Sequence, residues 1–472
     1  MTFRQINQLL LIGIVLLNSC AIKNGFPTDF GGVEGVAPTS WSESKDAQKG
    51  IDTQWVSSFS DPELTTLINS AWNRSLSLQS AIERVNQSLA LVSKTASAGR
   101  PQAELRLSGA RNQSVTLFLD PSDPISTRFS QFQLGMNVIW ELDFWGRVRN
   151  ASKAEISRTE AEFYDVLAVQ ASLAAQVAKS WFSLKESIIQ TSLTKEQIDL
   201  LSDEVGFREQ RLKSGQSTPT AGFFDLNQVK SEKLSLEADL IDLLNQQKTT
   251  ARNLNILTGE YPSGNVFTTT KLPKLKAKVK AGLPSELLLR RPDILQAERL
   301  YVASVGDEIA AQKALYPRFS LTSQAGTQTS QLRSIINSDF GVWSLGGNVT
   351  LPLLAGGELR AEIRQQTAIK KEALANLHQT VLEAFEEVEN TLALDDALLG
   401  QIRKLEEASK VSEKNISLAE RKVKAGTLPL LDFLSLQRRE HSLKSRLVTL
   451  RTNRLLNRVD LHLALGGDYK LH

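Results

Sequence analysis

The chain has 472 residues, and its 55 Lys+Arg against 52 Asp+Glu leave a formal net charge of +3, which excludes the basic footprint of a nucleic-acid binder. A single cysteine excludes disulfides as a source of stability, and four histidines with two methionines leave little for a metal site. With no phosphate-cradling G-x-x-x-x-G-K-S/T loop and no grouping of nucleophile, base and orienting residue, the sequence reads as a non-enzyme without cofactor or metal.

The amino terminus opens with Arg4 and the apolar run LLLIGIVLL from Leu9 to Leu17, just ahead of Cys20. A membrane-spanning helix needs about 20 apolar residues, whereas a secretory signal needs a basic start and roughly 7 to 15. Leu17, Ser19 and Cys20 resemble the lipobox of bacterial lipoproteins. That resemblance implies a signal peptide over residues 1–19, an S-diacylglycerol and an N-acyl group on Cys20, and an anchor in membrane lipid. Ala21 follows rather than the aspartate that resembles an inner-membrane retention signal, so sorting to the outer membrane is expected. Residues 20–60, with the glycine-rich GGVEG of Gly31 to Gly35, read as a lipidated N-terminal linker. No later segment is apolar enough to cross a bilayer as a helix.

The remainder is two copies of one plan, 61–265 and 284–467, joined by a linker over 266–283 and followed by a tail over 468–472. GRVRNASKAEI at Gly146 and GELRAEIRQQT at Gly357 lie 211 positions apart (357 less 146), as do the turns RLKSGQST and KVKAGTLP at Gly215 and Gly426. Asp225 and Asp432 are 207 apart (432 less 225), so the first copy carries four extra residues between Gly215 and Asp225.

In chain order each copy begins with a helix, Pro62 to Ala98 and Ser285 to Ala314. Asp61 with Pro62 is a helix-start signal. Arg100-Pro101 and Tyr316-Pro317 end these helices, because a residue before proline is pushed out of the α region. Two strands follow in each copy, about 101–112 and 129–142 in the first and about 317–327 and 340–353 in the second. Along them apolar positions such as Leu134, Met136 and Val138 alternate with Gln133, Gly135 and Asn137, a period of two that sets one face toward an apolar medium and the other toward a polar one. The loops between strands, about Val115 to Arg128 and Thr327 to Asp339, are polar. Proline-free helices then run from Gly146 to Ser214 and from Gly357 to Ala425, about 100 Å each at ~1.5 Å per residue. Helices of that length demand a coiled coil or a tube. Gly215 and Gly426 would end them in the left-handed region, and Asp225 and Asp432 fall near the start of the returning helices, where the dipole favours a carboxylate.

Four strands cannot close a membrane barrel, whose minimum is about eight, so the chain must oligomerise, and three copies would supply twelve. At this point GLPSELLLRRPDILQAE (Gly282 to Glu298), WELDFWGRVR (Trp140 to Arg149) and the paired glycine–aspartate turns resemble the TolC-like outer-membrane factors, in particular the NodT family of lipoproteins serving RND-type efflux pumps. The resemblance spans about Trp55 to Gly467. It implies a mixed α and transmembrane β fold. In it a homotrimer forms a 12-stranded outer-membrane β-barrel, four strands per chain, continuous with a long periplasmic α-helical barrel. Such an assembly sits in the outer membrane of a Gram-negative bacterium. It is the exit duct of a tripartite pump, passing substrates from an inner-membrane RND transporter and a periplasmic adaptor. The resemblance also makes Gly215, Asp225, Gly426 and Asp432 residues of a periplasmic tip that narrows to a gate. Well-known members pair a tip aspartate with a tyrosine and an arginine, and the matching positions here are Val423 and Leu428. Trp140, Trp145 and Trp343 are candidates for an aromatic girdle. Two other readings stay open, the outer-membrane component of a type I secretion system and a non-channel periplasmic coiled-coil scaffold.

Overall fold

The computed structural model describes residues 38, 40–42, 55–116, 125–215, 219–266, 271–275, 282 and 284–467; Cys20 and the tail lie outside them. In the first copy α1 (Trp55–Ser58), α2 (Pro62–Arg74) and α3 (Leu76–Ser97) lead into β1 (Gln102–Thr116), β2 (Ile125–Leu142), α4 (Arg147–Lys213) and α5 (Pro219–Leu257). The second repeats the order with α6 (Pro284–Leu287), α7 (Pro292–Lys313), β3 (Arg318–Thr329), β4 (Gly341–Thr350), α8 (Glu358–Lys424) and α9 (Leu430–Ala464). The molecule is thus mostly helical, with one four-stranded antiparallel sheet in the order β1-β2-β3-β4.

The opening helices depart from the sequence expectation, because each is two pieces. Ser75 leaves the helical region (φ −63°, ψ 125°), ends α2 by donating its N–H to Ala71 O at 2.8 Å, and caps α3 by accepting from Leu78 N–H. Serine is a good N-cap but no obligate breaker, so apolar periodicity running through it hid the break. In the second copy Arg291 (φ −71°, ψ 122°) is held extended by Pro292 behind it. The two breaks correspond: Arg74 and Arg290 are 216 positions apart (290 less 74), the offset that also relates Pro101 and Pro317.

Each break is backed by the glycine that ends the returning helix of its own copy. A Cβ on Gly259 (φ +71°) would stand 2.8 Å from Arg74 O, and one on Gly466 (φ +87°) would stand 3.1 Å from Arg290 Cβ. Left-handed backbone and close approach together select glycine at both places.

Buried apolar residues gather at this level, beside the middle of α4 and the first half of α8. Phe59, Leu64 and Ile68 pack against Trp181, Phe182 and Leu254 of the same copy and against Leu455 and Val459 from α9 of the second. Leu287, Ile294, Leu377, Phe385, Leu461 and Leu465 form the second cluster. Trp41, expected in a linker, is buried there edge-on to Phe385, with its indole N–H donating to Gly282 O at 3.1 Å. Ser42 adds N–H and Oγ bonds to Glu389 Oε1, both 2.7 Å. An indole that can reach a carbonyl loses little by burial, which is why this part of the N-terminal segment docks.

The strands also differ from expectation at their ends. β1 and β2 pair out to Thr116 and Ile125, so much of the expected polar loop is ladder. Side-chain polarity does not stop backbone pairing, and Gln113 bonds across the ladder to Ser126 (2.8 Å) and Arg128 (2.9 Å). β4 stops at Thr350, short of 353, because Pro352 lacks the N–H a ladder requires.

Candidate functional site

The sheet carries two chemistries in register. One cross-strand row reads Leu105, Met136, Ala325, Trp343, and the row beneath it on the same face reads Ala103, Val138, Ser323, Leu345. The row between them, on the opposite face, is Glu104, Asn137, Gln324, Ser344. Trp343 and Leu345 are 81% and 73% exposed in the single chain, as are many of their apolar neighbours. A continuous exposed apolar face of this kind marks a surface that another medium or partner covers. Gly135 of β2 faces Gly326 of β3, where a Cβ on Gly326 would stand 2.1 Å from Leu134 O, so the pairing there needs glycine.

Where strands give way to the long helices, aromatic side chains gather. Trp140 donates to Gly99 O (3.0 Å) and Trp145 to Pro317 O (2.9 Å). Trp145 stacks on Tyr316 at 5.2 Å and Phe144 meets Phe319 edge-on at 4.9 Å. Trp343 lies near the start of β4, toward the opposite end of the sheet. Asp143 starts α4 by accepting from the N–H groups of Val148 (3.1 Å) and Arg149 (2.8 Å), two of the donors a helix start leaves unpaired.

Two polar hubs lock the level of the helix breaks. Asp61 accepts from Leu64 N–H (3.2 Å), Trp181 Nε1 (3.0 Å) and Lys185 Nζ (2.7 Å), with Lys185 only 2% exposed. Burial alone would raise the Asp61 carboxyl, but hydrogen bonds from Lys185, Trp181 and Leu64 outweigh it and hold the group below the usual carboxylate range. Arg291, in the RRPD motif, forks onto Asp293 (3.0 and 2.6 Å), Glu387 (2.7 Å) and Ala464 O (3.1 Å). One guanidinium therefore ties α7 to α8 and to the end of α9, a use that needs the planar five-donor fork of arginine.

At the far end lie the two helix-to-helix turns. Gly426 (φ +70°) closes α8 in a Schellman turn, its N–H on Val423 O (3.0 Å) and that of Thr427 on Lys422 O (2.9 Å). Gly215 (φ +71°) closes α4, its N–H on Leu212 O at 3.3 Å. Asp432 is exposed in the first turn of α9. Asp225 does not sit in the first turn of its helix. Pro219 starts α5 early, so the extra residues of this copy lengthen the helix, and the Asp225 carboxylate instead lies 3.2 Å from Arg208 of α4. Residues 216–218 of this turn lie outside the described set.

Behind the tips is a charged layer that sequence reasoning missed. Glu204 is 1% exposed and accepts from Arg208 Nε (2.9 Å) and Nη2 (2.7 Å). Arg438 of α9 donates to Glu232 of α5 at 2.7 Å and stands 3.9 Å from Glu204. The available signal was an acid three residues after the buried Leu201, on the same helical stripe. Among the described residues no group of three or more His, Cys, Asp or Glu is placed to hold a metal ion, and no helix is long and apolar enough to cross a membrane.

Known proteins share this architecture. The sequence model of the family described as "Outer membrane efflux protein" matches residues 67–260 and 283–467. The chain is 28% identical over 419 residues to the "Cation efflux system protein CusC" of Escherichia coli O6:H1, covering 88% of each chain. It is 29% identical over 440 residues to "Outer membrane protein OprJ" of Pseudomonas aeruginosa, covering 91% of this chain and 90% of that one. In fold it is similar to the Campylobacter jejuni CmeC outer membrane channel, with a TM-score of 0.82 at 21% identity over 95% of this chain and 93% of that one. The family match takes in both repeats, from α2 to the end of α9, and with them the two-faced sheet and both tips: the chain belongs to the outer membrane efflux protein family.

Proposed function

We propose that three chains close their sheets into a 12-stranded outer-membrane barrel set on a helical tube, and that this trimer is the exit duct of a tripartite efflux pump. The observation that carries the reading is the sheet. It is apolar on one face and polar on the other, has unpaired edges at β1 and β4, and stands on helices of 67 residues, about 100 Å. Lipid tolerates no open strand edge, so edge-to-edge closure among copies is what lets such a sheet enter a membrane. The apolar face then meets lipid and the polar face lines the duct.

In this reading an inner-membrane RND transporter and a periplasmic adaptor deliver cargo to the tips, and the duct performs no reaction of its own. Gly215, Asp225, Gly426 and Asp432 belong to the narrowing end, and Cys20 carries the acyl groups that hold the N-terminus at the membrane. Two repeats, each with a strand pair and a long hairpin, favour the duct over a scaffold built on one hairpin.

The oligomeric mass of detergent-extracted protein and its conductance in planar bilayers test the proposal. A trimer that conducts, and that takes up labelled palmitate in the wild type but not in Cys20→Ser, is the expected result. A monomer or dimer with no conductance would return the scaffold reading. In the same recordings Asp432→Ala should raise the resting current, and an unchanged current would remove Asp432 from the gate.

A further inference from the structure

Charge is not spread evenly along this molecule. On the polar face of the sheet the charged residues are Glu104, Arg106, Glu141 and Arg318, two of each sign, and Glu141 is paired with Arg147 at 2.7 Å. The rest of that face is amide, hydroxyl and glycine, with a few apolar residues. Such a lining is polar without preferring either sign.

The tips are different. Between Glu204 and Glu232 the first holds four cations, Arg208, Arg211, Lys213 and Lys230, against Glu209 and Asp225. From Lys410 to Gln437 the second holds five cations against Glu413, Glu420 and Asp432. Glu204 and Glu232 at its bounds bring the first tip to neutral, whereas the second, taken to the Arg438 that Glu232 holds, is +3, six cations less three anions. Local pairs account for Arg208 with Asp225 (3.2 Å), Lys230 with Glu209 (2.7 Å) and Lys424 with Glu420 (2.8 Å). Lys213, Arg421 and Lys422 are left exposed on the last turns of α4 and α8, and among the described residues none of the three joins an ion pair.

We propose that these basic turns form a selectivity collar: the periplasmic mouth of the duct gathers anions, and the open channel passes anions, anionic cargo included, in preference to cations. The proposal rests on the duct reading, in which three copies turn each exposed cation into a ring. Rings of lysine and arginine at a constriction favour anions, and low-dielectric walls focus their field. At physiological salt a charge is screened over about 8 Å. The collar therefore acts only at the mouth, and the balanced barrel beyond it does not undo the choice.

The test is the reversal potential of the purified full chain in planar bilayers under a potassium chloride gradient. Wild type should favour chloride over potassium by roughly two-fold or more, and the combined Lys213→Glu, Arg421→Glu and Lys422→Glu variant should reverse the preference. The milder Lys422→Gln should move the ratio toward unity, which keeps the test alive if the triple variant fails to assemble. Lys404→Glu, on an exposed stretch of α8 far from the turn and paired with Glu407, should leave the ratio unchanged. A conducting wild type that prefers potassium or neither ion, or a ratio indifferent to the tip variants, overturns the collar and leaves these cations as partners of the helix dipoles. Complete absence of conductance fails differently, because it removes the duct itself.

Discussion

At the scale of single residues the strongest commitment is the pair of Asp61 and Lys185, 124 positions apart and both withdrawn from water. Taking two charges out of water is expensive, and the pair is tolerated because the carboxylate also receives Trp181 Nε1 and Leu64 N–H. Asp61→Ala leaves the buried Lys185 ammonium only the more distant Glu63 carboxylate, 3.9 Å away, and should lower stability by about 3–5 kcal/mol. Adding Lys185→Met should recover part of that loss, so a double-mutant cycle in denaturant should be clearly non-additive. Additive losses would show that the pair does not act as a unit. The linkage follows from the sign of the shift. A carboxyl held below its unfolded value of about 3.9 contributes stability above that pH and loses it as pH falls through the lower folded value. The advantage of wild type over Asp61→Asn should therefore be constant between about pH 5 and 8 and shrink below about pH 4. The sequence shows Asp61 as a helix-start residue, but no local pattern joins positions 61 and 185. The contact exists only once α2 lies across the middle of α4.

At the scale of elements the reading succeeds where periodicity is long and fails where one residue decides. The two 67-residue helices were legible because nothing in them breaks a helix, and the strands because alternation persists over many residues. The break at Ser75 was invisible, since Leu64, Ile68, Ala71, Leu78 and Ala81 keep one apolar stripe across it. At the tip, Asp225 is expected near the start of its helix, and because α5 already begins at Pro219 it lies beyond the first turn. The two long helices also begin differently. α4 starts from Gly146 (φ 78°) and borrows Asp143 as its cap, whereas the position 211 further on is Leu354, 98% exposed, ahead of Gly356 and Gly357. Asp143→Ala should cost about 1 kcal/mol, seen as faster amide hydrogen exchange at Val148 and Arg149 with the middle of α4 unchanged. Exchange that stays slow at those two amides would mean that Gly146 and the Arg147–Glu141 pair already fix the start.

At the scale of the whole molecule, the proposed barrel requires adjacent residues of one strand to meet opposite media. Ser344 and Leu345 are neighbours in β4 and both are exposed in the single chain, yet register places Ser344 with Gln324 and Leu345 with Ser323 and Val138. If the apolar face lies against lipid, Leu345→Arg puts a guanidinium in hydrocarbon, at a cost of about 2–4 kcal/mol per chain near the bilayer midplane. Three copies of the charge in one trimer should sharply reduce the protein recovered as assembled trimer from the outer membrane. Ser344→Arg adds the same side chain one residue away, facing the water of the duct, and should assemble normally while altering conductance. The comparison isolates sidedness, because both variants share charge, volume and strand, and differ only in the face they occupy. Equal loss in both would mean that β4 tolerates no arginine for reasons of packing between chains. Loss confined to Ser344→Arg would turn the barrel inside out, with the amide face toward the membrane, and no closed sheet could hold that face in hydrocarbon with so many side-chain donors and acceptors unpaired.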